Sequence, residues 1–465
     1  MAKGIPHQCS ECGYTAPRWL GRCPGCDAWG TLDPVEGAAL KKSGGAKKAG
    51  VGSFAIGTGV APKSPARALT SISATESRVF ATGIGELDRV LGRGIVQGSV
   101  VLLAGEPGVG KSTLLLEVAS RWARSGPKRR CLYVTAEESA GQVRLRAERT
   151  GSVHENVFLA SESNLEVILG HVDEVKPNLL IVDSVQTVST PGVDGVSGGV
   201  AQSRAVTAAL TSLAKSKGIP VLLVGHVTKD GNVAGPRVLE HLVDVVLNFE
   251  GDRYSSLRML RGIKNRFGAT DEVGCFEQTE DGIQEVPDPS GLFLSTRDSS
   301  PDGTAITVAM DGVRPILAEI QSLVVASASK GNPRRAVTGL DSTRVPMVLA
   351  VLEARGGLSV SEKEVYIATV GGMRCKEPAV DLAVALATAS AARGVPLPDK
   401  TVVLGEVGLA GEIRRIPQIK QRLLEASRLG FTRAIVPPGC GKVEGMTVHE
   451  VDTINKALAL IKSKR

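Results

Sequence analysis

Aromatic side chains make up only 3% of this 465-residue chain, so any core must be built from Val, Leu, Ile and Ala. No apolar run approaches the roughly 18–20 residues that a membrane helix needs, and no membrane span is expected. The opening residues Met1–Ile5 carry no apolar segment of signal-peptide length. A cytoplasmic location is therefore expected. Cysteine is too sparse for a disulfide scaffold. Of eight cysteines, four fall within the first 26 residues, and Cys131, Cys275, Cys375 and Cys440 are scattered singly. The scattered four are expected as buried small apolar residues. The composition, 42% hydrophobic and 22% charged, is that of an ordinary globular protein. The net charge of +7 suits a polyanionic partner and a solvated basic surface equally well.

Four regions follow one another. Residues 1–30 hold the cysteine cluster. Residues 31–79 read as a flexible basic linker, with six Lys/Arg and no acid between Gly37 and Arg67. Between 80 and 286, short β-rich runs (Val100–Ala104, Leu132–Val134, Val157–Leu159, Leu179–Val182, Val221–Val224) alternate with amphipathic stretches. That alternation predicts an α/β fold, a parallel sheet with helices on both faces. Val245–Phe249 and Ser256–Ile263 are spaced to form an edge hairpin. Residues 287–465 mix strands and helices and read as a second α/β domain.

Cys9-x-x-Cys12 and Cys23-x-x-Cys26 are two CxxC pairs ten residues apart. Each pair offers two thiolates from one tight turn, and four thiolates complete the closed tetrahedral shell of a structural Zn²⁺ site. A small zinc knuckle is expected, with no open position for catalysis.

Gly105-Glu106-Pro107-Gly108-Val109-Gly110-Lys111-Ser112 satisfies G-x-x-x-x-G-K-[ST] and joins the run Val100–Ala104 to a helix beginning near Thr113. Its glycines let backbone N–H groups converge on phosphate oxygens, beside the positive end of the helix dipole. Lys111 is expected at the β- and γ-phosphates of ATP, with Ser112 on Mg²⁺. Asp183 ends the run Leu179–Val182 and is expected to hold the Mg²⁺ shell. Glu137 is the first choice for the group that activates water, and Glu138 the second. His226, at a strand tip, is placed to sense the γ-phosphate.

These elements together resemble the RadA/Sms family of bacterial repair proteins, within the RecA-like ATPases. The resemblance covers nearly the whole chain. It rests on the cysteine knuckle, Thr82–Asp88, the phosphate loop, Thr135–Ser139, Asp183–Gln186 and, most specifically, Lys264-Asn-Arg-Phe-Gly268. It implies a homo-hexameric ring that uses ATP on single-stranded and branched DNA, with helicase and branch-migration activity and a RecA recombinase as partner. By the same resemblance, residues near Val188–Arg204 and Thr228–Arg237 face DNA, with Arg204, Lys229 and Arg237 as cations; plain surface loops are the alternative. Two further readings stay open: a nucleotide-gated scaffold that binds DNA or recombinase without moving, and an ATP-dependent peptidase.

Residues 287–465 resemble the proteolytic domain of Lon proteases. That family's nucleophilic Ser is replaced here by Ala379, and Lys420 falls near its Lys. A non-proteolytic scaffold is expected. Arg334, Arg335, Arg374, Lys376, Arg414, Arg415 and Arg422 make either a DNA-binding surface or a solvated basic face.

Lys264 and Arg266 lie two residues apart on an extended segment, so their side chains share a face. The chain's own core motifs supply no second fixed cation near the phosphate loop. Both residues are therefore expected to act on a neighbouring subunit's nucleotide, with Gly268 turning the chain away.

Overall fold

A computed structural model of the protein describes residues 7–9, 15–16, 23–24, 26, 32–34, 68–71, 78–226, 236–251, 256–294, 301–327 and 333–461. The chain divides into two compact units, Met1–Ile72 and Ser73–Arg465. In the first, the strand His7–Cys9 pairs antiparallel with Thr15–Ala16 and with Leu32–Pro34. This small sheet reaches past residue 30.

The second unit is built on a nine-stranded sheet. Its order is Gly282–Glu285, Val273–Thr279, Leu257–Asn265, Val245–Gly251, Val100–Gly105, Val221–His226, Leu179–Asp183, Cys131–Thr135, Val157–Ser161. From Val245–Gly251 onward the strands are parallel; the first three add antiparallel, starting with the expected hairpin.

The strands read as unbroken apolar runs because both faces are covered. Along Val100–Gly105, Val101 and Leu103 join one cluster with Leu114, Val118 and Trp122 of the helix Lys111–Arg124. Val100 and Leu102 join the opposite cluster with Val206, Leu210 and Ala214 of the helix Val200–Lys217. Each fully buried Leu or Val contributes about 1.5–3 kcal/mol relative to exposure. The parallel strands are thereby the rigid part of the unit, and their carboxyl ends carry the loops.

The boundary expected at 286/287 runs through this second unit. Beyond it a seven-stranded sheet has the order Arg335–Thr338, Lys363–Thr369, Arg314–Ala326, Thr304–Asp311, Thr401–Val403, Arg433–Val436, Thr447–Glu450. The helix Asp381–Arg393 is buried along its first ten residues, from Asp381 to Ser390. Its Ala, Ser and Thr side chains let sheet and neighbouring helix approach from both sides. Two ion pairs cross that boundary, one from the helix Gly85–Leu91 and one from sheet to sheet. Arg314 pairs with Glu86, both buried, and Arg314 Nη2 donates to the Pro287 carbonyl at 2.6 Å. Arg261 grips both oxygens of Asp311, with Nη2 to Oδ2 at 2.9 Å. Among the described residues no helix is long and apolar enough to cross a membrane.

A candidate nucleotide site and a thiolate cluster

The phosphate-loop match folds as strand, loop and helix. Gly108 and Gly110 have φ of 78° and 106°, a region that side chains rarely adopt. Glu106, Pro107 and Gly108 are exposed at the crest, and Val109 is buried beneath. No side chain caps the helix Lys111–Arg124. Its first N–H groups, those of Lys111, Ser112 and Thr113, are thus left to an external acceptor. By contrast, the helix Ala140–Arg149 is closed by a Ser139–Gln142 capping box.

Lys111 is buried, and its Nζ donates to the carbonyls of Gly105 at 2.9 Å and Glu106 at 2.8 Å. Burial lowers its pKa to about 8, although the Asp183 and Glu137 charges work the other way. An ammonium so placed is poorly solvated and close to two carboxylates. A polyphosphate fits there as a better partner than two loop carbonyls.

The parallel register brings the other residues to the same end of the sheet. His226 is aligned with Gly105, and Thr135 with Asp183. Tyr133 Oη donates to Asp183 Oδ2 at 2.7 Å. Burial, then the Asp183 charge, pushes the Tyr133 hydroxyl well above its ordinary pKa, so it remains a donor. Ser184 Oγ donates to Glu137 Oε1, and His226 Nε2 lies 3.2 Å from the same oxygen. The His226 contact, helped by Ser184 and opposed by burial, lowers the Glu137 carboxyl to about 2. Glu138 points elsewhere: it is paired with Arg146. The structure thus gives different partners to two adjacent acids, of which Glu137 was the first choice and Glu138 the second. Tyr133, Ser184 and Gln186, whose Nε2 donates to the His226 carbonyl at 3.1 Å, were not singled out beforehand. Their signal was present in the Asp183–Gln186 segment and in the strand before Glu137.

Lys264 and Arg266 are not near this site in their own chain. The strand Leu257–Asn265 runs antiparallel, so its last residues lie beside Val245 and Val246, at the far end from Gly105. From Val100 to Gly105 the strand spans roughly 16 Å. Lys264 lies within the strand and not after it. Its Nζ donates to the carbonyls of Glu240 at 2.6 Å and Val243 at 2.9 Å, and Arg266 Nη1 pairs with Asp244 at 3.0 Å. Both cations thus contact the same segment, residues 240–244. Ile263 and Phe267 beside them are exposed apolar residues.

Of the two stretches expected to face DNA, the first is partly helical. Arg204 is an exposed residue of the helix Val200–Lys217, not of a loop. Residues 227–235, Lys229 among them, and the side chain of Arg237 lie outside the described residues.

In the second sheet's domain, Ala379 is buried among Val308, Leu317 and Leu404. Lys420 is exposed. The cation next to this segment is Arg422, fully buried, with Nη1 on the Val308 carbonyl at 2.6 Å and both terminal nitrogens on Glu377. Arg422 therefore does not belong to the basic surface. Arg334, Arg335, Arg374, Lys376, Arg414 and Arg415 are exposed.

Cys9, Cys23 and Cys26 bring their Sγ atoms within 4.8 Å of one another. Four sulfurs at about 2.3 Å from a tetrahedral zinc would lie about 3.8 Å apart; Cys9 and Cys26 Sγ are 3.7 Å apart. The donor set fits zinc. Cys12 lies outside the described residues. Cys131, Cys275, Cys375 and Cys440 are buried, and burial pushes the Cys275 thiol up to about 12.

Residues 7–34 match a family described as a rubredoxin metal binding domain, residues 65–232 an AAA domain, and residues 324–439 subunit ChlI of Mg-chelatase. The chain is similar to proteins called DNA repair protein RadA over nearly its whole length. The one from Mycolicibacterium smegmatis is 56% identical over 97% of this chain and 96% of its own. Its counterpart in Mycobacterium tuberculosis is 54% identical, over 97% and 92%. That of Bacillus subtilis is 45% identical, over 97% of each.

Proposed function

The chain belongs to the DNA repair protein RadA family of RecA-like ATPases, and on that footing we propose that it is a ring motor on DNA. It hydrolyses ATP while moving on single-stranded DNA, and it extends branched recombination intermediates in the cytoplasm beside a RecA-type recombinase. The observation that carries the reading is the grouping of Lys111, Asp183 and Glu137 at one end of a rigid parallel sheet, with Lys264 and Arg266 at the other.

The backbone N–H groups of residues 108–113 cradle the phosphates, and Lys111 leaves its loop carbonyls for the β- and γ-phosphates. Bound Mg²⁺, held by Ser112 and Asp183, would supply charge neutralisation on the phosphate oxygens. Tyr133 fixes the orientation of Asp183. Glu137, held as a carboxylate by Ser184 and His226, orients the attacking water and accepts its proton. His226, aligned with Gly105 and in contact with Glu137, would sense the γ-phosphate and pass its state to the following loop.

The distance of Lys264 and Arg266 from their own phosphate loop favours action across an interface, where a cation supplied by a neighbour can be worth roughly 10³–10⁵ in rate. Exposed Ile263 and Phe267, adjacent in sequence to the two cations, give that end of the sheet apolar area that an interface would bury. Heterologous contacts of this kind close into rings, and six copies are proposed. Cys9, Cys12, Cys23 and Cys26 hold structural Zn²⁺. The Ala379 position disfavours a peptidase. The test is ATP turnover with and without single-stranded DNA, followed by unwinding of a forked duplex. Turnover stimulated by DNA but with no unwinding would leave the scaffold reading in place of the motor. Cleavage of labelled casein would favour the peptidase.

A further inference from the structure

Asp244 lies outside the nucleotide site and has no task in the reading above, yet it is buried and both its oxygens are committed. Oδ2 accepts from the backbone N–H of Val100 at 3.1 Å, at the start of the phosphate-loop strand. Oδ1 accepts from Arg266 Nη1 at 3.0 Å. The backbone repeats the link: Asp244 N–H donates to the Val100 carbonyl at 2.9 Å, and Arg266 N–H donates to the Asp244 carbonyl at 3.2 Å. In the same short segment, the Glu240 and Val243 carbonyls hold Lys264 Nζ.

Segment 240–244 therefore grips both cations while fixed to an inner strand of the sheet. Packing does not hold Arg266, whose side chain is 51% exposed. A long exposed side chain loses rotamer freedom when it is fixed, and that loss opposes its ordering. A buried carboxylate with one oxygen on a rigid backbone and the other on the guanidinium offsets much of that cost in advance. It takes one nitrogen of the fork and leaves the remaining N–H groups for a second acceptor.

We propose that Asp244 is a positioning residue that holds Arg266, and through the same turn Lys264, in the orientation presented to the nucleotide of a neighbouring copy. The proposal rests on the cross-subunit reading above. Its rival is that Asp244 only secures Val100 and so serves the phosphate loop of its own chain. The two differ in which subunit's site suffers when Asp244 is changed.

The test is Asp244→Asn in the full chain, assayed for ATP turnover with single-stranded DNA. The amide keeps one oxygen for the Val100 N–H and turns its NH₂ toward Arg266, so the charged contact is lost. The expected result is a kcat lower by roughly 10²-fold, the scale of a small misplacement of a reacting group, with KM for ATP unchanged. Asp244→Asn is then mixed with Lys111→Ala, whose phosphate loop is dead and whose cations are intact. Hydrolysis should return, because the intact loop meets an intact Arg266. Mixed with Arg266→Ala, it should stay low. The reverse pattern, rescue by neither mixture, or near-normal activity of Asp244→Asn alone would overturn the proposal. If Asp244→Asn fails to fold, Asp244→Glu, which keeps the charge and displaces it by one methylene, goes through the same two mixtures. The control is Lys111→Ala mixed with Arg266→Ala. No activity there, with subunit exchange demonstrated, sinks the cross-subunit reading itself and this inference with it. Activity in the control alone sinks only the role of Asp244.

Discussion

His226 Nε2 stands 3.2 Å from Glu137 Oε1, the same oxygen that accepts from Ser184 Oγ. A carboxylate only accepts, so this contact places a proton on Nε2. Nδ1 of the same ring is buried without a partner among the described residues. The two residues come from different strand ends, separated in sequence by 89 positions, and meet because their strands lie in one parallel sheet.

Glu137→Gln is expected to bind ATP and to hydrolyse it about 10²–10⁴-fold more slowly, the usual worth of a positioned proton acceptor. Glu138→Gln should have a far smaller effect, since Glu138 is engaged with Arg146. Steady-state turnover beside fluorescent-nucleotide binding distinguishes them. Equal losses from both substitutions would refute the assignment of Glu137.

Lys111, with a pKa near 8 against its ordinary 10.5, is partly deprotonated at mildly alkaline pH. Polyphosphate favours the charged form, so ATP binding at pH 8–9 should take up a proton, and affinity should fall as pH rises through that range. Calorimetry in two buffers of different ionisation enthalpy measures the uptake. Lys111→Ala should abolish both the uptake and turnover; unchanged uptake in that variant would assign the proton to another group.

Replacing Cys9 and Cys12 with Ser should remove Zn²⁺ and unfold the first unit alone, because metal binding and folding are coupled in a closed thiolate site. Basal ATP hydrolysis by the second unit should persist. Metal analysis of the unmodified protein is expected to give one zinc per chain, and its absence would overturn the site.

Arg314→Ala leaves the Glu86 carboxylate buried without its principal cation. Breaking a buried pair in this way costs about 3–5 kcal/mol. The melting temperature should drop by several degrees, and Glu86→Gln added to Arg314→Ala should recover part of it. A melting temperature unchanged by Arg314→Ala would show that the pair does not hold the helix Gly85–Leu91 to the second sheet.

Residue type and spacing alone determined the phosphate loop, the strand ending in Asp183 and the thiolate pairs. Each depends on a short stretch whose backbone chemistry is local: glycines at positive φ, a helix start, two thiols on one turn. The apolar runs likewise announced a parallel sheet, because a strand buried on both faces has no polar alternation. The sheet order decided what the sequence could not. It placed Glu137, and not Glu138, against Ser184 and His226. It carried Lys264 and Arg266 along an antiparallel strand to the end opposite their own phosphate loop, and set them on Asp244. It also took Arg422 off the expected basic surface and buried it on Glu377, while Lys420 stayed in solvent. Charge is visible in a sequence, but its partner depends on which elements pack together, and long-range packing fixes those partners only when the whole unit folds.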